Sequence, residues 1–215
     1  MNTVVFLLVS AFEWFSLIFL AFTIFKLEVG WYKGQIIFSA FLLSLLSYLL
    51  FEVLDLTGFA SLLQPPIVFL FFWQMFRIPV FYAGLMTSNG YLAYVVINAI
   101  IFSIYDVLGA NLQPGNWIMY SAQILSGILA LLIGWLIVKF RIGFSFVPYG
   151  ERANVKLTGI NLKLLLFTFI GYAAVAASSY WVFLQNVTFL FLIVTATALG
   201  IFQYLIFRKE YSDDD

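Results

Sequence analysis

Long apolar runs broken by short polar connections dominate the chain, and no stretch shows the strict alternation of a half-buried strand. A helix crossing the hydrocarbon of a bilayer needs roughly 20 mostly apolar residues. Seven segments approach that length: 3–25, 35–51, 57–76, 80–105, 117–138, 163–184 and 187–207. Backbone amides cannot go unpaired in lipid, so helices are the economical solution. The pattern predicts an all-α, polytopic bundle of seven transmembrane helices forming one domain over 1–207, with a short tail at 208–215. Gln185-Asn186 makes a tight hairpin between the last two spans.

Composition agrees. Of 215 residues, 64% are hydrophobic, 20% aromatic and only 9% charged, and the mean hydropathy is +1.06. A soluble domain has no means of hiding that much apolar surface. The first run contains Glu13 and lacks both a basic leader and a small-residue cleavage site, so it reads as a retained span and not a signal peptide. Net charge is zero, which gives no electrostatic case for nucleic acid. Cysteine and histidine are absent, excluding disulfides, thiolate nucleophiles and histidine metal sites. No phosphate-binding glycine loop, nucleophile motif or paired catalytic carboxylates occur. The expectation is a protein that is not an enzyme and carries no cofactor or metal.

Charge orients the bundle. Lys26, Lys33, Arg77, Lys139, Arg141, Arg152, Lys156, Lys163, Arg208 and Lys209 all fall on one side of a seven-span arrangement. The other side holds the amino end and the 52–56, 106–116 and 185–186 connections, without a lysine or arginine. Basic residues in short connections stay in the cytoplasm. The amino end is therefore expected outside, the carboxyl end in the cytoplasm, and the protein in a cell membrane. Half of the cations lie in KFRIGFSFVPYGERANVKLTGINLK, residues 139–163, the main cytoplasmic loop. Lys139, Arg141, Arg152, Lys156 and Lys163 have two readings. The plainer is topological, with cations touching lipid headgroups. The other is a docking surface for a cytoplasmic partner, with Phe144, Phe146 and Tyr149 supplying apolar contact.

Polar residues inside spans are the candidate site. Glu13 lies near the middle of the first span, where an ionised carboxylate is costly. It is either a ligand, ion or proton site, or a hydrogen-bonded carboxyl that pins the first helix to a neighbour. The fourth span carries the stripe Thr87, Tyr91, Tyr94, Asn98 and Tyr105. The fifth carries Gln123, Gly127, Ala130 and Gly134, and the sixth Gly171, Ala174 and Ser178. Small residues and amides favour close helix packing. A cavity between these faces would put Glu13, Asn98 and Gln123 within reach of a guest. Gln64-Pro65-Pro66 interrupts the third span and frees carbonyls that need partners. A kink there would shape an outward-facing vestibule; a late helix start is the alternative. The outer connections carry Glu52, Asp55 and Asp106, which favour cationic guests mildly. Ligand-binding candidates are thus Glu13, Gln64, Asn98 and Gln123.

The segment FFWQMFRIPVFYAGLMTSNGYLAYVVINAIIFSIY, with FRIPVFY and LMTSNGYLAY inside it and KFRIGFSFVP further on, resembles the membrane sensor region of accessory-gene-regulator-type receptor histidine kinases. These are the peptide quorum-sensing receptors of Gram-positive bacteria. The likeness lies in span order and short apolar patches across about 200 residues. It implies a homodimeric receptor in a bacterial plasma membrane that binds a short extracellular peptide and passes a helix movement inward. In the family the last span continues into a helix with a phosphoacceptor histidine and an ATP-binding domain. This chain has no histidine, so it is expected to lack kinase activity and to signal through a partner. It is read either as a cut sensor domain or as a kinase-less relative, and the terminal SDDD favours the relative. A small-molecule or ion transporter, or the substrate-capturing subunit of one, is the competing function, and an assembly partner without ligand the third. No inverted repeat supports transport.

Overall fold

A computed structural model describes residues 3–56, 59–110, 112, 116–148, 155, 159–185 and 188–211, with side chains at 61 and 174–190 not described. Seven long helices follow in order: α1 (Thr3–Ile24), α2 (Lys33–Tyr48), α3 (Ala60–Leu70), α4 (Val80–Val107), α5 (Trp117–Lys139), α6 (Gly159–Gln185) and α7 (Thr188–Glu210). No strand occurs among the described residues. Among the described residues, five helices are long and apolar enough to cross a membrane: α1, α2 with its flanking turns (Val29–Val53), α4, α5 and α7 from Phe191. The apolar parts of α3 with its continuation, and of α6 as far as described, are shorter, at Leu62–Met75 and Gly159–Ala173.

Helix ends differ from the apolar runs by up to a turn. The runs stop where charge begins, but a helix continues past the hydrocarbon until its backbone is capped. Thus Lys33 opens α2, Lys163 lies inside α6, and α7 extends through Arg208 and Lys209 to Glu210, so the first residues of the expected tail at 208–215 are helical. Asn186 of the expected hairpin falls outside the described residues.

α1 and α4 are the central pair. α2, α5 and α4 pack on α1, while α3, α5, α6 and α7 pack on α4. Small residues allow the closest approaches. A Cβ on Gly90 of α4 would lie 2.5 Å from the Cβ of Ala21 in α1. On α5, a Cβ at Gly127 would meet the Phe12 ring at 2.5 Å, and one at Gly134 the Phe19 ring at 2.7 Å. Ala130 between them is fully buried. The small-residue face of α5 is therefore a packing seam against α1. Its opposite face exposes Ile124, Ile128, Leu132 and Trp135, the apolar stripe that lipid would cover.

Three helices end alike. Lys26, Arg77 and Arg141 each follow a phenylalanine, precede a leucine or isoleucine, and have a left-handed backbone with φ of 49°, 56° and 54°. After α1 and α5 the following amide reaches back five residues, Leu27 N–H to Phe22 O at 3.0 Å and Ile142 N–H to Ile137 O at 3.0 Å. This closes the last turn as a Schellman cap, and the cation sits beside the negative end of the helix. α3 reaches its cap through a π-helical turn, Phe71–Met75, so Ile78 N–H bonds Phe72 O at 3.2 Å.

These ends meet at one end of the bundle. Phe22 packs on Phe76 with ring centroids 5.0 Å apart, and on Tyr32 at 5.4 Å. The segment after α5 then folds back across: Phe144 N–H bonds Ile24 O at 2.8 Å. Phe146 packs on Phe25 and Tyr82, and Val147 is buried. Gly143, at φ of 120°, is required there, because a Cβ would lie 2.7 Å from Ile24 O. Ser145 donates its backbone N–H at 2.9 Å and its hydroxyl at 2.6 Å to the Glu210 carboxylate, fastening this strap to α7.

Candidate functional site

Apolar spans leave few polar side chains, and the structure gathers several into a ring through four helices. Trp14 Nε1–H of α1 donates to Ser47 Oγ of α2 at 2.9 Å. Gln64 Nε2–H of α3 donates to the same oxygen at 3.2 Å. The Tyr91 hydroxyl of α4 donates to Gln64 Oε1 at 3.4 Å. One turn further along α4, the Tyr94 hydroxyl donates to Glu13 Oε1 at 3.4 Å, returning the ring to α1. The two tyrosine bonds are long and correspondingly weak. Glu13, only partly buried, is thus hydrogen-bonded to a neighbouring helix, the arrangement of the pinning reading.

Pro65 and Pro66 lie within α3, not at its start. A proline removes the N–H that would bond the carbonyl four residues earlier, so Pro66 leaves the Leu62 carbonyl open. The Tyr172 hydroxyl of α6 donates to that carbonyl. The freed acceptor has therefore become an interhelical bond, and α3 is held on one side by the Gln64 ring and on the other by Tyr172.

Beside this break, α3, α4 and α6 enclose a cavity of about 640 Å³. Its walls are Pro65, Pro66 and Phe69 from α3, Val80, Phe81, Gly84 and Leu85 from α4, and Leu165 and Phe169 from α6. Pro79 and Val155 lie at the end nearest the basic turns. Four hydroxyl residues lie on the walls: Thr87, Ser88, Thr168 and Tyr172. Thr168 turns back to the Leu164 carbonyl at 2.8 Å. Thr87 is buried and its Oγ1 has no partner among the described residues. Among the described residues no charged side chain lines the cavity.

The four ligand candidates separate. Glu13 and Gln64 belong to one ring of hydrogen bonds, with Glu13 and Tyr172 both in electrostatic reach of Tyr91. Asn98 lies further along α4, its Oδ1 buried and without a described partner. Gln123 lies on α5, one turn before the Gly127 seam, and makes no hydrogen bond with a described residue. None of the four lines the cavity. The α4 stripe is shared among neighbours, Thr87 at the cavity, Tyr91 and Tyr94 in the ring, and Tyr105 against Ser121 at 3.1 Å.

Of the loop cations, Lys139 and Arg141 are exposed, with Lys139 stacked over the Trp135 ring at 4.7 Å. Lys163 is exposed two residues before Leu165, on the other side of α6 from the cavity. Arg152, Lys156 and Tyr149 lie outside the described residues. Phe144 and Phe146 are packed against the bundle, so the apolar contacts expected for a docking partner are made within the chain itself. Among the described residues no group of histidine, cysteine and acidic side chains could hold a metal ion.

Sequence reasoning missed Ser47, Tyr172 and Gly84. A serine, tyrosine or glycine in an apolar span is ordinary, and only the fold shows what each faces. No known protein family, curated protein or solved structure matches the chain.

Proposed function

We propose that the chain is a receptor-like membrane sensor module. It crosses the bilayer seven times, with its amino end outside and its carboxyl end in the cytoplasm of a bacterial cell. It takes a small amphiphile or an extracellular peptide into its bundle and passes a helix movement to a partner protein. The ten-to-none division of lysine and arginine across the connections supports the orientation.

One observation carries the binding role: the apolar cavity bordering the broken helix α3. α3 is the least regular helix, with two internal prolines and a π-helical end. π-helical turns are frequent at functional sites, and prolines kink a helix. A guest that fits one arrangement of α3 better shifts the bundle toward it in proportion to its unequal affinity for the two. The apolar walls favour an amphiphile over a polar peptide. The likeness to peptide-sensing receptors supports the receptor role and leaves the peptide as the other guest.

Thermal unfolding of the protein in nanodiscs, combined with flux in vesicles, tests this reading. The expected result is stabilisation by an amphiphile or peptide without its net transport. Transport is the second reading, favoured by Glu13 in the ring between α1 and α4. Uptake into vesicles that disappears in Glu13→Gln would establish it and overturn the receptor.

A further inference from the structure

Taking the α3–α4–α6 cavity as the ligand site, we infer that its guest is an uncharged amphiphile drawn sideways from the bilayer, holding one hydroxyl or carbonyl group at the Thr87–Ser88 end. The inference rests on the receptor reading and goes further by naming the ligand's chemistry.

Three features of the walls lead there. The first is charge. Among the described residues no ionised side chain lines the cavity, so a carboxylate or ammonium head would enter these apolar walls without compensation from them. The second is access. Val80 and Phe169 line the cavity yet remain 52% and 64% exposed on the outer flank of the bundle. In a membrane that flank is covered by lipid, so the opening faces the bilayer interior. The third is the distribution of hydroxyls. Along α4, Val80 and Phe81 are apolar, whereas Thr87 and Ser88 stand about 10 Å further along the helix axis.

At that deeper end the hydrogen-bonding capacity is unused. Thr87 is 4% exposed, and its Oγ1 lacks the usual bond to the preceding turn. A rotation about χ1 turns it between the two rotamers open to threonine in a helix. Ser88 also makes no hydrogen bond with a described residue. Tyr172 donates to the Leu62 carbonyl, which leaves its oxygen able to accept. With Thr87 so rotated, a guest hydroxyl or carbonyl here meets two donors and several acceptors, while its apolar body lies along Leu85, Phe81 and Phe69. The volume of about 640 Å³ suits a small single molecule and not a folded peptide. Gly84 leaves the width: a Cβ there would come no closer than 4.0 Å, to the Phe69 ring.

Photolabelling tests this with the whole chain in phosphatidylcholine nanodiscs. The probes are a diazirine-bearing octanol, the matching diazirine alkane and the matching octanoate, mapped by peptide mass spectrometry. The expected result is octanol labelling on 80–88 and 165–172 about fivefold above that of the alkane, the worth of one hydrogen bond near 1 kcal/mol. Thr87→Val with Ser88→Ala should bring the alcohol down to the alkane's level and leave the alkane unchanged. Gly84→Leu should remove labelling by both, with each variant's melting temperature recorded as a folding control. Equal labelling by alcohol and alkane, preference for octanoate, or label spread over the Ile124–Ile128–Leu132 flank would each overturn the inference. The receptor reading fails separately, if neither amphiphile nor peptide stabilises the protein. A peptide that stabilises without cavity labelling would retain the receptor and reject this ligand.

Discussion

The hydroxyl of Tyr172 and the carbonyl of Leu62 show how a proline in a membrane helix is tolerated. Pro66 takes away the carbonyl's own partner, and a tyrosine from α6 replaces it. Tyr172→Phe should therefore cost about 1–3 kcal/mol in the membrane, because the acceptor is left unpaired at a surface that lipid covers. In Pro66→Ala the restored N–H serves Leu62, so the same tyrosine change should become nearly neutral. A double-mutant cycle by reversible unfolding in mixed micelles measures that coupling, and additive effects would reject it. Glu13 and Gln64 stood out in the sequence because polar groups in apolar spans are rare. Tyr91 and Tyr94 stood out too, in the polar stripe of α4, but not as their partners, and Trp14 and Ser47 are ordinary span residues. That Pro66 would free a carbonyl was legible; that Tyr172 would answer it was not, because the pairing spans 110 residues of chain.

At the scale of elements, close packing is set by what stands opposite each small residue. Gly90 faces Ala21, whose Cβ and backbone cannot move without shifting α1, whereas Gly127 faces the edge of the Phe12 ring. Gly90→Ala should destabilise the protein by about 1–3 kcal/mol, and Gly127→Ala by less, since a ring rotates more easily than a helix moves. Unfolding midpoints of the two variants check the order. The Gly127–Ala130–Gly134 seam could be seen in the sequence from its spacing alone. Gly90 could not, standing between polar residues of the α4 stripe. The strap after α5 was equally hidden: its cations suggested a loop open to partners, but its phenylalanines pack on α1 and α4, and its serine is fastened to α7. Glu210→Ala should release the strap, seen as faster amide exchange at Ser145 and its neighbours with little change in the bundle core. Unchanged exchange would mean that Glu210 does not hold it.

For the molecule as a whole, the apolar runs located every long helix, because only helices satisfy the backbone in lipid. They could not fix helix ends, which depend on caps such as Lys26 and Arg141, nor the course of α3, which runs through two prolines and ends in a π-helical turn. The placement of the cavity was also hidden, since it depends on which three helices adjoin. The proposed orientation in the membrane underlies the rest: it places the basic turns and the strap on the cytoplasmic side. The absence of cysteine allows a clean test. Gly30, with open space around it, and Leu108, 75% exposed, lie in connections assigned to opposite sides. In right-side-out vesicles, an impermeant maleimide should label Leu108→Cys directly and Gly30→Cys only after permeabilisation. Direct labelling of Gly30→Cys, or of both positions, would contradict the account.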